Sequence, residues 1–267
     1  MSENNMKQQT SSAFRWEDVF QLPETAYACN KRIPKTVLSK QALLTKHEMR
    51  TLDKVRRLEH FATVQKTTTR ILPIVDENRD IQSVVFLHSE MAGSQAFSEV
   101  AKLIHNCFPN PTVILSEGAS TVCVSVAITR KSQSEQGATV IERIENTGAF
   151  KPSDDLYAPF LNKLSFSKLP QGNLLDYLEG IATNIKLSKA TNVLGYFPTC
   201  DKTNQEELFK VLASYETTSR KIKEFETQRR TDRNLTLNES SKLRIDQRQL
   251  ERKAAQLAEQ IKEICNE

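Results

Sequence analysis

Ile81-Gln82-Ser83-Val84-Val85-Phe86-Leu87-His88 is the stretch that decides the fold. Its apolar run, Val84 to Leu87, is short, β-branched and aromatic, which is the pattern of a strand covered on both faces. Upstream, Arg70–Val75 reads as another strand, and the polar link Asp76-Glu77-Asn78-Arg79-Asp80 has hairpin-loop length, so these two are expected to pair antiparallel. Downstream, Phe97, Val100, Ala101, Ile104 and Cys107 fall on one face of a helix expected over 94–107, ending before Phe108-Pro109-Asn110-Pro111. Strands at Thr112–Ser116 and Thr121–Thr129 flank the turn Glu117-Gly118-Ala119-Ser120, and Thr139–Asn146 reads as a further strand or a short helix. The order is that of an α+β fold with a mostly antiparallel sheet and packed helices, not of a βαβ repeat.

Working towards the N-terminus, Leu58–Val64 has the β-branched and aromatic content of a strand. Before it, Thr45 followed by Glu48 forms a capping box, and a helix is expected from there to about Arg57, burying Met49, Leu52 and Val55. Pro34 pushes Ile33 into an extended conformation. Phe14–Leu22 has the spacing of a short docking helix ended by Pro23, and residues 1–12 have the polar composition of a disordered leader.

Towards the C-terminus, Leu174–Leu187 reads as a helix with Leu174, Leu175, Leu178, Ile181 and Ile185 inward, capping the sheet. From Asn204 onward there is neither proline nor glycine. Leu208, Val211, Tyr215, Thr218, Ile222 and Phe225, then Leu243, Gln247, Leu250, Ala254, Leu257, Ile261 and Ile264, alternate spacings of three and four. Two helices of about 25 residues, joined near 231–238 with Asn238 as a cap, are expected to form a coiled-coil-like antiparallel hairpin of about 35–40 Å. The organisation is therefore a leader over 1–12, an α+β domain over 13–203 and a helical hairpin over 204–267.

Composition narrows the function classes. Five cysteines, at 29, 107, 123, 200 and 265, lack CxxC spacing, which argues against a zinc knuckle or a disulfide framework. His47, His60, His88 and His105 share no i,i+4 spacing, and with seven glycines there is no phosphate-binding loop. No metal or cofactor is expected. No apolar run is long enough to span a membrane and no signal peptide is visible, so a cytoplasmic location is expected.

Charge supplies the main candidate site. The chain carries a formal +4, yet residues 30–70 hold eleven Lys or Arg against Glu48, Asp53 and Glu59, an excess of +8. Clustered cations release counterions on meeting phosphate, so Lys31, Arg32, Lys35, Arg50, Lys54 and Arg57 are the nucleic-acid candidates, joined by Arg229, Arg230 and Arg233 at the hairpin tip. A charge run is more often a solvated surface, and an acidic block over 71–160 would partly neutralise this one. The catalytic alternative is a divergent metal-dependent nuclease using Glu59, Asp76, Asp80, Glu90 and Lys131. Against it, Asp76, Glu77 and Asp80 are ordinary residues for a hairpin turn. A third reading makes the C-terminal helices a homodimer seam.

Several segments carry a likeness to a known family: Asn30-Lys31-Arg32-Ile33-Pro34-Lys35, Leu44-Thr45-Lys46 opening a helix, the strand 57–64, the run 108–115, the run 124–131, and Leu235-Thr236-Leu237-Asn238-Glu239 in the helical pair. Over roughly 20–265 the chain resembles the bacterial family catalogued as domain of unknown function 4391. The resemblance implies genes beside DNA methyltransferases and superfamily 2 helicases in restriction-like or anti-phage loci, and hence a helicase or methyltransferase as partner. It carries over no catalytic residue. The expected role is a non-enzymatic accessory subunit that binds protein partners, with DNA as a further candidate ligand.

Overall fold

The computed structural model describes residues 14–266 apart from 43, 94–95, 109, 136 and 233–235. In chain order the elements are α1 (Trp16–Phe20), β1 (Tyr27–Arg32), α2 (Lys35–Gln41), α3 (Lys46–Asp53), β2 (Val55–Gln65), α4 (Lys66–Thr69), β3 (Ile74–Val75), β4 (Asp80–Ile81) and β5 (Ser83–Met91). There follow α5 (Phe97–Cys107), β6 (Thr112–Glu117), β7 (Val122–Lys131), β8 (Thr139–Asn146), α6 (Ala158–Lys163), α7 (Leu174–Leu194), α8 (Lys202–Thr231) and α9 (Leu237–Asn266). The expected leader lies outside the described residues.

A six-stranded sheet in the order β1-β2-β5-β6-β7-β8 forms the centre. Every neighbouring pair is antiparallel except β5 and β6, which run parallel and are joined over the sheet by α5. The run Val84 to Leu87 sits in β5, between β2 and β6, which is why it is apolar on both faces. The expected hairpin around Asp76–Asp80 exists only in miniature, as the separate pair β3 and β4. The main partner of β5 is instead β2, in a register that sets Glu59 against His88 and Val64 against Val84. That pairing is distant in sequence, and no local turn signal marks it.

Alternation along the strands builds a core on each face. On one side Phe86, Val113, Leu115, Val124 and Val126 pack against Trp16 and Phe20 of α1, Phe160 of α6 and the inner side of α7. On the other, Leu87, Ile114 and Cys123 meet Leu38 of α2, Leu52 of α3 and Val100, Ala101 and Ile104 of α5. The Thr45 capping box is present, its hydroxyl accepting from the Glu48 N–H and the carboxylate accepting from the Thr45 N–H. The helix it opens stops at Asp53, however, and Met49 points outward. Val55 is buried as the first residue of β2, and Arg57 belongs to the sheet. Behind Pro34 there is also a second helix, α2, where only an extended entry was expected.

Within the second core, α5 carries a fully buried imidazole: His105 Nδ1 lies 2.6 Å from Thr112 Oγ1 and Nε2 lies 3.0 Å from Ser125 Oγ. Burial pushes this histidine down to about 3, from an ordinary value of 6.5, so it is neutral in the folded chain. The folded value lies below the unfolded one, so its stabilising effect is intact above pH of about 6.5. It erodes as acid protonates the unfolded chain first, by up to roughly 1.4 kcal/mol per pH unit between about 6.5 and 3. Urea unfolding followed from about pH 7 to about pH 4.5 is expected to show this fall, and His105→Asn is expected to flatten it. Equal slopes in the two proteins would remove His105 as its source.

Helix α7 is the longest element of the body and runs past its expected end at Leu187 to Leu194, where Gly195 adopts φ +79 and closes it. Asn173 caps its start, its side-chain oxygen accepting from the N–H groups of Leu175 and Asp176. Leu174, Tyr177, Leu178, Ile181 and Ile185 face the sheet, while Leu187 and Ala190, from the opposite side near the C-terminus, pack against Leu208 and Leu212 of α8 and Ile261 of α9. At mid-helix, a Cβ on Gly180 would come within 2.5 Å of Pro170 Cδ. Gly180→Ala is therefore expected to destabilise by roughly 1–3 kcal/mol through overpacking, reversing the gain of about 1 kcal/mol that Ala brings to an open helix. A rise in the thermal midpoint of this variant would contradict the close packing.

Candidate functional site

The cations singled out by sequence do not form one patch. Lys31 and Arg32 end the edge strand β1, and Lys35 begins α2. Beside them lies a groove of about 400 Å³, floored by Ile33, Val37, Val85, Leu87 and Phe108, with Lys31 and Arg32 in its wall. On α3, Arg50 is exposed. Lys54 stands 3.6 Å from Glu99 at the start of α5, and Arg57 Nη2 stands 2.6 Å from Glu59 Oε1. Two of the three cations of the expected helix thus already have carboxylate partners.

Arg57 and Glu59 belong to a polar cluster on the α7 face, at the carboxyl ends of the parallel pair β5 and β6. Glu59, with a side chain only 8 % exposed, faces His88 Nδ1 at 4.0 Å, while His88 Nε2 lies 3.2 Å from Glu117. Cross-strand register brings Arg32 opposite Glu59, Arg57 opposite Glu90, and Glu90 opposite Glu117. The Glu117 contact is within hydrogen-bond distance, whereas the Glu59 contact is longer than a hydrogen bond. The arrangement is linear, with the ring between the two acids, and does not converge on a point. Among the described residues no group of three or more His, Cys, Asp or Glu is placed to hold a metal ion.

The remaining nuclease candidates lie elsewhere. Asp76 closes its own turn by accepting from the N–H groups of Asn78 and Arg79, Lys131 Nζ donates to the Asp76 carbonyl, and Asp80 accepts from Gln82. Glu59 and Glu90 are brought near each other, but Asp76, Asp80 and Lys131 are not brought to them. Sequence reading missed His88 with Glu117, since the pair depends on the β5–β6 register, which no local pattern reveals. Burial pushes the Cys123 and Cys265 thiols up to about 11, away from the thiolate a nucleophile needs.

The C-terminal helices are an antiparallel pair of 30 residues each, longer than expected and about 45 Å by helical rise. Thr236, not Asn238, caps α9, with Glu239 completing the box. The base of the pair joins the third apolar cluster through residues up to Tyr215 on α8 and from Ile261 on α9. Beyond it, the expected seam residues Ile222, Phe225, Leu243 and Leu250 are only half-buried, and Ile245 is 58 % exposed. Near the tip, Gln247 is buried and bonds Arg229, Glu226 and Glu251 across and along the seam. Arg229 is thus engaged, Arg230 is exposed, and Arg233 lies outside the described residues.

With this geometry in hand, the family model for Domain of unknown function (DUF4391) matches residues 20–262. The chain belongs to the DUF4391 family. No curated protein matches it, nor does any solved structure. The DUF4391 match takes in β1 to β8 and α2 to α8, together with most of α9, so sheet and arm belong to one family unit. Among the described residues of this DUF4391 chain, no helix is long and apolar enough to cross a membrane.

Because Glu59 is nearly buried while Arg57 is about half exposed, removing the guanidinium strands a desolvated carboxylate. Arg57→Ala is expected to cost about 1–3 kcal/mol in chemical denaturation. Lys54→Ala, which breaks an exposed pair, is expected to cost less than about 1 kcal/mol. Equal costs for the two variants would show that Glu59 draws no support from Arg57.

Proposed function

We propose that this protein is a non-enzymatic accessory subunit of a bacterial restriction-like or anti-phage DNA-processing complex, acting in the cytoplasm. The observation that carries the reading is the helical arm. Among the described residues beyond the third apolar cluster, α8 and α9 pack chiefly on each other, and their seam leaves Ile222, Phe225, Leu243 and Leu250 half covered. Such a seam favours a further helix laid against it, burying apolar side chains that the pair alone cannot cover. The cations Lys31, Arg32, Lys35 and Arg50 on the body are left to approach DNA phosphate. The candidate nuclease residues do not converge, with Glu59 and Glu90 apart from Asp76, Asp80 and Lys131, which favours a docking role over hydrolysis.

A helicase or DNA methyltransferase encoded beside the gene is the proposed partner. Full-length chain coexpressed with each neighbour is expected to copurify with one of them through size-exclusion chromatography, and Leu250→Glu, with unchanged helical circular dichroism, is expected to weaken that complex at least tenfold. Failure of the wild-type chain to form either complex at micromolar concentration would overturn the proposal.

A further inference from the structure

The distal arm, residues 216–257, holds eleven Lys or Arg against seven Asp or Glu. Four of its seven acids are tied to partners within the chain while staying exposed: Glu216 pairs with Lys189, Glu226 and Glu251 accept from the Gln247 amide, and Glu239 completes the cap of α9. Arg229 bonds Gln247, but among the described residues the cations of the segment form no ion pair. Arg244, Arg248 and Arg252 recur every fourth residue, so they line one side of α9 at steps of about 6 Å. At 100° per residue that side points away from Leu243, Gln247, Leu250 and Ala254, and all three arginines are exposed without an ion pair among the described residues. Arg220, Lys223 and Arg230 are likewise exposed on the solvent side of α8.

We infer that this outer face of the arm is a binding surface for the phosphate backbone of a nucleic-acid duplex, read without regard to sequence. A ladder of planar guanidiniums matches a regular row of phosphates and gains by releasing condensed counterions. Single strands are the poorer fit, because they are held by stacking on aromatic rings, and Phe225, the aromatic residue of this segment, is turned into the seam. An anionic membrane is poorer too, since an interfacial helix needs an apolar face opposite its cations, and here that face is the seam between the helices. The excess charge also opposes apposition of two arms from separate copies. The inference rests on the arm being a working surface, as in the docking proposal, but it uses the opposite side of α9 from the apolar seam.

The test is fluorescence anisotropy with a labelled random-sequence duplex of about 20 base pairs, a matched single strand and anionic vesicles, over a range of salt concentrations. The full-length chain is expected to bind the duplex most tightly. The variant Arg244→Glu/Arg248→Glu/Arg252→Glu is expected to bind at least tenfold more weakly, while Arg244→Gln/Arg248→Gln/Arg252→Gln, with unchanged helical circular dichroism, is expected to lower the salt slope by about 2–3. Wild-type binding by both triple variants, tighter binding of the single strand, or binding of vesicles in place of the duplex would each overturn the inference. Loss of partner copurification in Leu250→Glu with duplex binding intact would support both proposals by separating the two faces. Duplex binding with no protein complex in the wild type would overturn the docking proposal alone.

Discussion

The double burial of α7 is the constraint on which the rest depends. Its inner side closes the sheet core through Leu178, Ile181 and Ile185, and its outer side, near the C-terminus, supplies Leu187 and Ala190 to the base of the arm. A helix apolar on two sides cannot face water on either, so sheet and arm each hide a surface that the other part leaves open. Gly180 lets Pro170 and Leu169 approach the backbone closely, and Asn173 and Gly195 fix where the helix begins and ends. The body and the arm are two shapes, but they share this one helix.

Much of this was legible in the sequence, and the failures have definite causes. Strands β6 and β7 with the turn at 117–120, helix α5 and the Thr45 box emerged because each is governed by local spacing or local chemistry. The β2–β5 and β5–β6 pairings did not, since partners some 30 residues apart leave no mark at the turn scale. Met49 shows a narrower failure. Three apolar residues spaced three apart suggested one face, but the chain leaves the helix at Lys54, so Val55 is buried by the sheet and Met49 is left outside. For α7, the periodicity faded after Ile185 because apolar residues there switch sides, which is the signature of the junction with the arm.

The candidate site was less legible than the fold, for an electrostatic reason. Counting charge along the chain found the excess over 30–70 but not its neutralisation, because Glu99 and Glu59 reach Lys54 and Arg57 through tertiary structure. On the arm the reverse holds. The local count looked nearly balanced over the last sixty or so residues. Glu216, Glu226, Glu239 and Glu251 stay exposed but are each tied to a partner within the chain, while Arg244, Arg248 and Arg252 are exposed without an ion pair among the described residues. Charge in sequence and charge presented to solvent are different quantities, and helical geometry converts one into the other.

The base-only anchorage of the arm also fixes how its order is distributed. Apolar packing against the body ends near Tyr215 and resumes near Ile261, so backbone amides there share the protection of the core. Farther out, each helical turn is supported by its opposite number and by the Gln247 network alone. The hairpin is thus built to open from its tip inward, a zipper whose fastened end is α7, and anything laid along the far half would change how much of it is closed.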